Sequence, residues 1–154
     1  MASVRPLLFA LLAGTGCAAG TTGGITVTEA YGFAPATASE AAVYLTLHNQ
    51  GPGEDALVRV SSPEAAGVMV HRSVTSGAMV IMEHVDRLPL PVGVPVRMAP
   101  GALHLMLVDL APVRQAGDSL TIILEYARGA SQTVRVPVIP YGDPPDSGGT
   151  PEVR

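Results

Sequence analysis

Between Ile25 and Val138 the chain is a succession of short apolar-alternating runs cut by proline and glycine, and none of them sustains a capped helical period. Side chains at every second position of an extended segment share one face, so each run has one face to bury and one to solvate. ITVTEAY, AAVYLTLHN, ALVRVSS, GVMVHR, AMVIMEHV, VPVRM, LHLMLVDL, SLTIILEYA and QTVRVPV all read this way. Pro89, Pro91, Gly93, Pro95, Pro100, Gly101, Pro112 and Gly117 stand in the turns between them. In AAVYLTLHN, Val43, Leu45 and Leu47 fall on one face and Tyr44, Thr46 and His48 on the other. About seven to nine short strands with this spacing predict an all-β fold, an antiparallel β-sandwich or barrel.

The length, 154 residues, suits one domain with a real core and argues against two. That domain is expected at 25–139. Residues 18–24 (AAGTTGG) make a flexible lead-in, and the tail 140–154 is rich in Pro, Gly and acids with little to bury, so disorder is expected there. Charged residues are 14% of the chain, the net charge is -4, and no basic block occurs. Phosphate binding needs clustered Lys or Arg, and base stacking needs aromatic platforms, so nucleic acid is not an expected partner.

The first 17 residues read as an export signal. Arg5 supplies the positive n-region, Leu7–Ala13 the apolar h-region, and small residues follow. The apolar run is shorter than a membrane span. Cys17 is the one cysteine. The segment AGTGC around it resembles a bacterial lipobox, although Gly14 stands where Leu is usual. Cys17 is therefore a candidate lipidation site, with ordinary cleavage nearby, such as after Ala19, as the alternative. Either way the expected location is periplasmic or otherwise extracytoplasmic, with membrane contact only through a lipid anchor. The domain itself has no thiol, which removes disulfides and thiolate metal sites.

One run stands apart. In GALHLMLVDL, His104 and Met106 are two apart on a strand and share a face, with Leu103, Leu105 and Leu107 turned to the other. Alone, such a pair is ordinary packing, since methionine fills gaps in many cores. Upstream, however, His71 and Met82 complete the spacing H-x10-M-x21-H-x-M in a chain with only four His and six Met. Thioethers are soft donors that favour Cu(I), and imidazole binds borderline and soft ions alike. Methionine also cannot be lost to disulfide formation in an oxidising compartment, though it can be oxidised to the sulfoxide.

Over roughly Ile25 to Val138 the chain resembles the PCuAC family of periplasmic copper chaperones. EAYGFAPATASEAAVYLTLHNQG, VMVHRSVTSGAMVIMEHV and the P-G-x-x-H-x-M-L stretch at 100–107 carry the likeness. The resemblance implies a cupredoxin-like β-barrel and one Cu(I) held by two His and two Met, here His71, Met82, His104 and Met106. It also implies delivery to a copper-accepting protein in assembly of the Cu(A) site of cytochrome c oxidase, either subunit II or an assembly factor. Many members carry a further Met soon after the first His, where this chain has RSVTSGA. His84 follows Met82 by two residues, where the family often has Pro, and strand parity turns it to the same face; it is a candidate peripheral or Cu(II) ligand, or else a solvated strand residue. Met79, at odd separation from Met82, is expected to pack on the opposite side, and Met69, Met98 and His48 are expected to be structural.

Catalysis is not expected. The acids Glu54, Asp55, Glu64, Glu83, Asp86 and Asp109 are scattered, no Ser–His–Asp set or phosphate loop is legible, and a blue-copper centre would need a cysteine. The competing reading is a secreted, metal-free β-sandwich that acts as a binding module.

Overall fold

The computed structural model describes residues 24–33, 39–112, 114–142 and 152–153. The export signal and Cys17 lie outside them. The strands are β1 (Ile25–Phe33), β2 (Glu40–Asn49), β3 (Asp55–Ser61), β4 (Ala65–Ser76), β5 (Met79–His84) and β6 (Leu88–Leu90). They continue with β7 (Pro95–Arg97), β8 (Leu103–Leu110), β9 (Ser119–Tyr126), β10 (Ser131–Ile139) and β11 (Glu152–Val153). All nine runs with the period-two pattern are strands. Two further strands lie outside those runs: β6, three residues (LPL) with an exposed proline between two buried leucines, and β11, which is only two residues long.

The strands pair in the order β5-β4-β8-β2-β1-β10-β9-β3-β6, with β7 added to β2 and β11 to β10. One layer holds β5, β4, β8, β2 and β1, and the other β10, β9, β3 and β6. They join where β1 pairs with β10, Gly32 opposite Val138 and Phe33 opposite Ile139. That pairing is parallel, whereas the other ladders are antiparallel. Between the layers pack Val43, Leu45, Leu47, Leu105, Leu107, Leu120, Ile122, Leu124, Val134 and Val136, all essentially without solvent exposure. Strands β9 and β10 keep the alternation of a half-buried sheet.

Strand β2 departs from that alternation. Its inward residues are Val43, Leu45 and Leu47 as expected, but Tyr44 and Thr46 on the outward face are buried too. The cause is a bulge in β1. Thr28 opposes Thr46 and Tyr31 opposes Tyr44, so three steps along β1 match two along β2. Glu29 takes up the extra residue at φ 51. The bulge turns Tyr31 and Phe33 outward, where they cluster with Tyr44 at ring separations of 5.2–5.7 Å. Thr46 donates its hydroxyl hydrogen to Glu29 at 2.9 Å, which satisfies the polar group of its buried side chain. Beyond the domain, the Tyr141 ring lies 5.1 Å from Phe33.

Two turns place the motif residues. Ser76 opposes Met79, so Gly77–Ala78 is a two-residue hairpin loop, and Gly77 has φ 64 at the first central position, where such loops need a positive value. Before β8, the Ala102 amide donates to the Ala99 carbonyl at 3.0 Å across Pro100–Gly101, with Gly101 at φ 76. Pro at the second and Gly at the third position are what a type II turn asks for.

Candidate metal centre

Register decides which side chains share a face, because residues directly opposite on an antiparallel ladder project the same way. His71 of β4 stands opposite His104 of β8 on one side and opposite His84 of β5 on the other. Ser73 opposes Met82, and Met69 opposes Met106. His71, Met82, His104 and Met106 therefore lie on one face of three adjacent strands, together with His84. Met82, His104 and Met106 line one open depression with Glu40, Tyr44 and Ser73. His71 is not part of that lining; it joins the group through its ring, whose centroid lies 5.8 Å from that of His104 at an interplanar angle of 86°.

His104 is the anchored member, only 5% exposed. Its Nδ1 lies 3.3 Å from the Ala102 carbonyl. A carbonyl oxygen only accepts, so this contact puts the proton on Nδ1 and leaves Nε2 as a lone-pair donor, the orienting device seen in metal-binding histidines. The same carbonyl accepts the Ser73 amide at 3.1 Å, tying the turn before β8 to β4. The Pro100–Gly101 turn thus sets both the strand and the tautomer of its histidine.

His71 is half-buried, and its Nδ1 is fully buried with no hydrogen-bond partner. A buried polar atom without a partner is costly and calls for an explanation, which an ion would supply. Burial, reinforced by His104 and His84, holds its pKa below the usual imidazole value and favours the neutral, ligating form. Among the described residues no three His, Cys, Asp or Glu side chains stand close enough together to hold a metal ion. As the side chains stand, an ion here would draw its further donors from thioethers. Met106 is half-buried, whereas Met82 is 58% exposed, so this face is covered on the β8 side and open on the β5 side.

The remaining expectations divide. His48 lies on β2, its Nδ1 3.4 Å from the Gln50 amide nitrogen, and Met98 is a core residue, as expected. Met79 is on the face opposite Met82, but it does not pack: it is 67% exposed, because the hairpin projects beyond the strands that would cover it. Met69 is half-buried and stands opposite Met106, on the same face as the histidines. Its place two residues before His71 carries that information. Tyr44, whose ring centroid is 6.4 Å from His104, is a neighbour that sequence does not disclose, because no local pattern links β2 to β8.

The family model "Putative lipoprotein LpqE-like" matches residues 25–138. "Putative lipoprotein Lxx21020" of Leifsonia xyli subsp. xyli is 32% identical over 116 residues, 75% of this chain and 69% of that protein. Among solved structures, the copper-bound PCuAC domain from PmoF2 superposes with TM-score 0.65 at 25% identity, covering 77% of this chain and 95% of that one. The Cu(I) form of DR1885 from Deinococcus radiodurans gives TM-score 0.60 at 24% identity, covering 84% and 85%. The β-sandwich described above is thus the cupredoxin-like fold of PCuAC domains.

Proposed function

Since the chain belongs to the LpqE-like family, which is of the PCuAC type, we propose that it is a copper-binding chaperone that carries one Cu(I) and gives it up to a partner. The observation that supports this most is the shared face of His71, Met82, His104 and Met106, with a lone pair free on His104 and an unpartnered buried nitrogen on His71. In this reading the two imidazoles and two thioethers ligate the ion. All four are neutral, so the site carries only the ion's own charge, and the soft sulfurs select Cu(I) over hard cations. Water, ions and partner groups reach the cargo from the Met82 side. A thioether there is a weak donor that an acceptor's stronger imidazole or thiolate ligands displace, which suits a carrier and not a catalyst.

The recipient in this proposal is a copper-accepting protein of cytochrome c oxidase assembly at the Cu(A) site, and the protein works outside the cytoplasm, anchored by lipid on Cys17. Competition for Cu(I) against a chromogenic chelator should give one site per chain. Met82→Leu with Met106→Leu should abolish it while leaving the fold intact. Unaltered copper binding in that double variant would overturn the ligand set.

A further inference from the structure

The proposed Cu(I) site leaves the imidazole beside His71 on β5 unused. His84 flanks His71 on β5 as His104 flanks it on β8, so three histidines form a row across three neighbouring strands on one face. Ring centroids are 5.9 Å apart for His71 and His84 and 5.8 Å for His71 and His104, with interplanar angles of 84° and 86°. Two imidazoles on one ion, each bonded at about 2 Å, have ring centres no more than about 6 Å apart. Both neighbouring pairs meet that limit.

His84 is held away by Asp86, whose Oδ1 lies 3.1 Å from its Nε2. Both side chains are exposed, and an exposed pair of this kind contributes little, so an ion competes with it easily. Among the described residues the three histidines do not yet stand close enough together to hold an ion, so a site built from them requires His84 to leave Asp86.

We propose that the protein also binds Cu(II), through the imidazoles of His71, His84 and His104, with His84 released from Asp86 to serve on the β5 side where Met82 serves Cu(I). The choice of metal rests on the copper reading above. Cu(II) prefers imidazole to thioether and heads the divalent first-row series at nitrogen sites. Met82 and His84 are two residues apart on the same face of β5, about 7 Å along the strand, so either can reach an ion above His71 without changing the hairpin's register. The two oxidation states then share an imidazole pair and differ in the β5 donor.

The test titrates Cu(II) from a glycine-buffered solution into the purified protein and its H84A variant, read by electron paramagnetic resonance. Cu(I) affinity is measured by chelator competition on the same samples. The expected wild-type spectrum is one Cu(II) with three imidazole nitrogens. H84A should lose one nitrogen, and the ratio of Cu(II) to Cu(I) affinity should fall about tenfold or more, as for loss of one ligand. An unchanged nitrogen count and Cu(II) affinity in H84A would overturn the proposal, as would an equal loss for both oxidation states. If the wild type took up no Cu(I) yet bound Cu(II) through His84, the chaperone reading would fail and this one would stand.

Discussion

His71 and His104 face each other directly across the β4–β8 ladder, their rings 5.8 Å apart and nearly perpendicular. In the proposed copper site this pair supplies both imidazole ligands. His71→Ala and His104→Ala should each weaken Cu(I) binding more than about 100-fold, beyond the 10- to 100-fold typical of an outer-shell partner. Chelator competition reads the loss. A thermal melt separates the two variants, since His104 is buried and leaves a cavity, whereas His71 is only half-buried.

The hairpin turn should be as important to binding as a ligand. Gly77 has φ 64, and a Cβ there would meet nothing within 4 Å, so the cost of a side chain is purely that of the backbone. Gly77→Val should destabilise the hairpin by about 1–2 kcal/mol, the penalty of a left-handed conformation. Gly77→Asn should cost less, because Asn tolerates that region. Inserting one residue within β5, between Met79 and Val80, should turn Met82 and His84 to the opposite face and lower Cu(I) affinity with little effect on the melting of the core.

Gly32 guards the seam between the two layers. A Cβ there would lie 3.1 Å from Cγ2 of Val43, itself fully buried and unable to retreat. Gly32→Ala should therefore cost about 1–3 kcal/mol through overpacking, measurable by urea denaturation.

Alkaline stability should track Tyr126. Burial, with Asp55 adding to it, raises the Tyr126 pKa well above its usual value of 10.0, and its hydroxyl donates to Gln132 Oε1 at 2.8 Å. Above that usual value the unfolded chain loses the proton and the folded one keeps it, so the folded state binds more protons and stability falls as pH rises. Tyr126→Phe should lower stability near neutrality by about 1 kcal/mol, the worth of one hydrogen bond, and flatten the alkaline decline. Denaturation midpoints across the tyrosine range check both.

The nine main strands and the shared face of His104 and Met106 are legible in the amino-acid sequence, because both depend only on period two; His71 and Met82, an odd number of residues apart, join that face through the hairpin loop and the β4–β8 register. The features that are not legible there are set by contacts far apart along the chain. The burial of Tyr44 and Thr46 depends on a bulge at Glu29, which no period announces. The exposure of Met79 depends on how far the hairpin outruns its neighbours, and the pairing of Met69 with Met106 depends on the β4–β8 register. Parity says which residues share a face; it does not say what covers that face.

Strand β5 is the last in its layer and pairs, among the described residues, with β4 alone. An ion spanning Met82 and His104 would fasten that outermost ribbon to the strand two places inward, like a clasp closed only while cargo is aboard. Empty and loaded forms would then share one sandwich and differ in how readily a single ribbon frays. Slower hydrogen exchange confined to Met79–His84 would be its signature, and an acceptor that grips a loosened edge would release an emptied carrier differently from a full one.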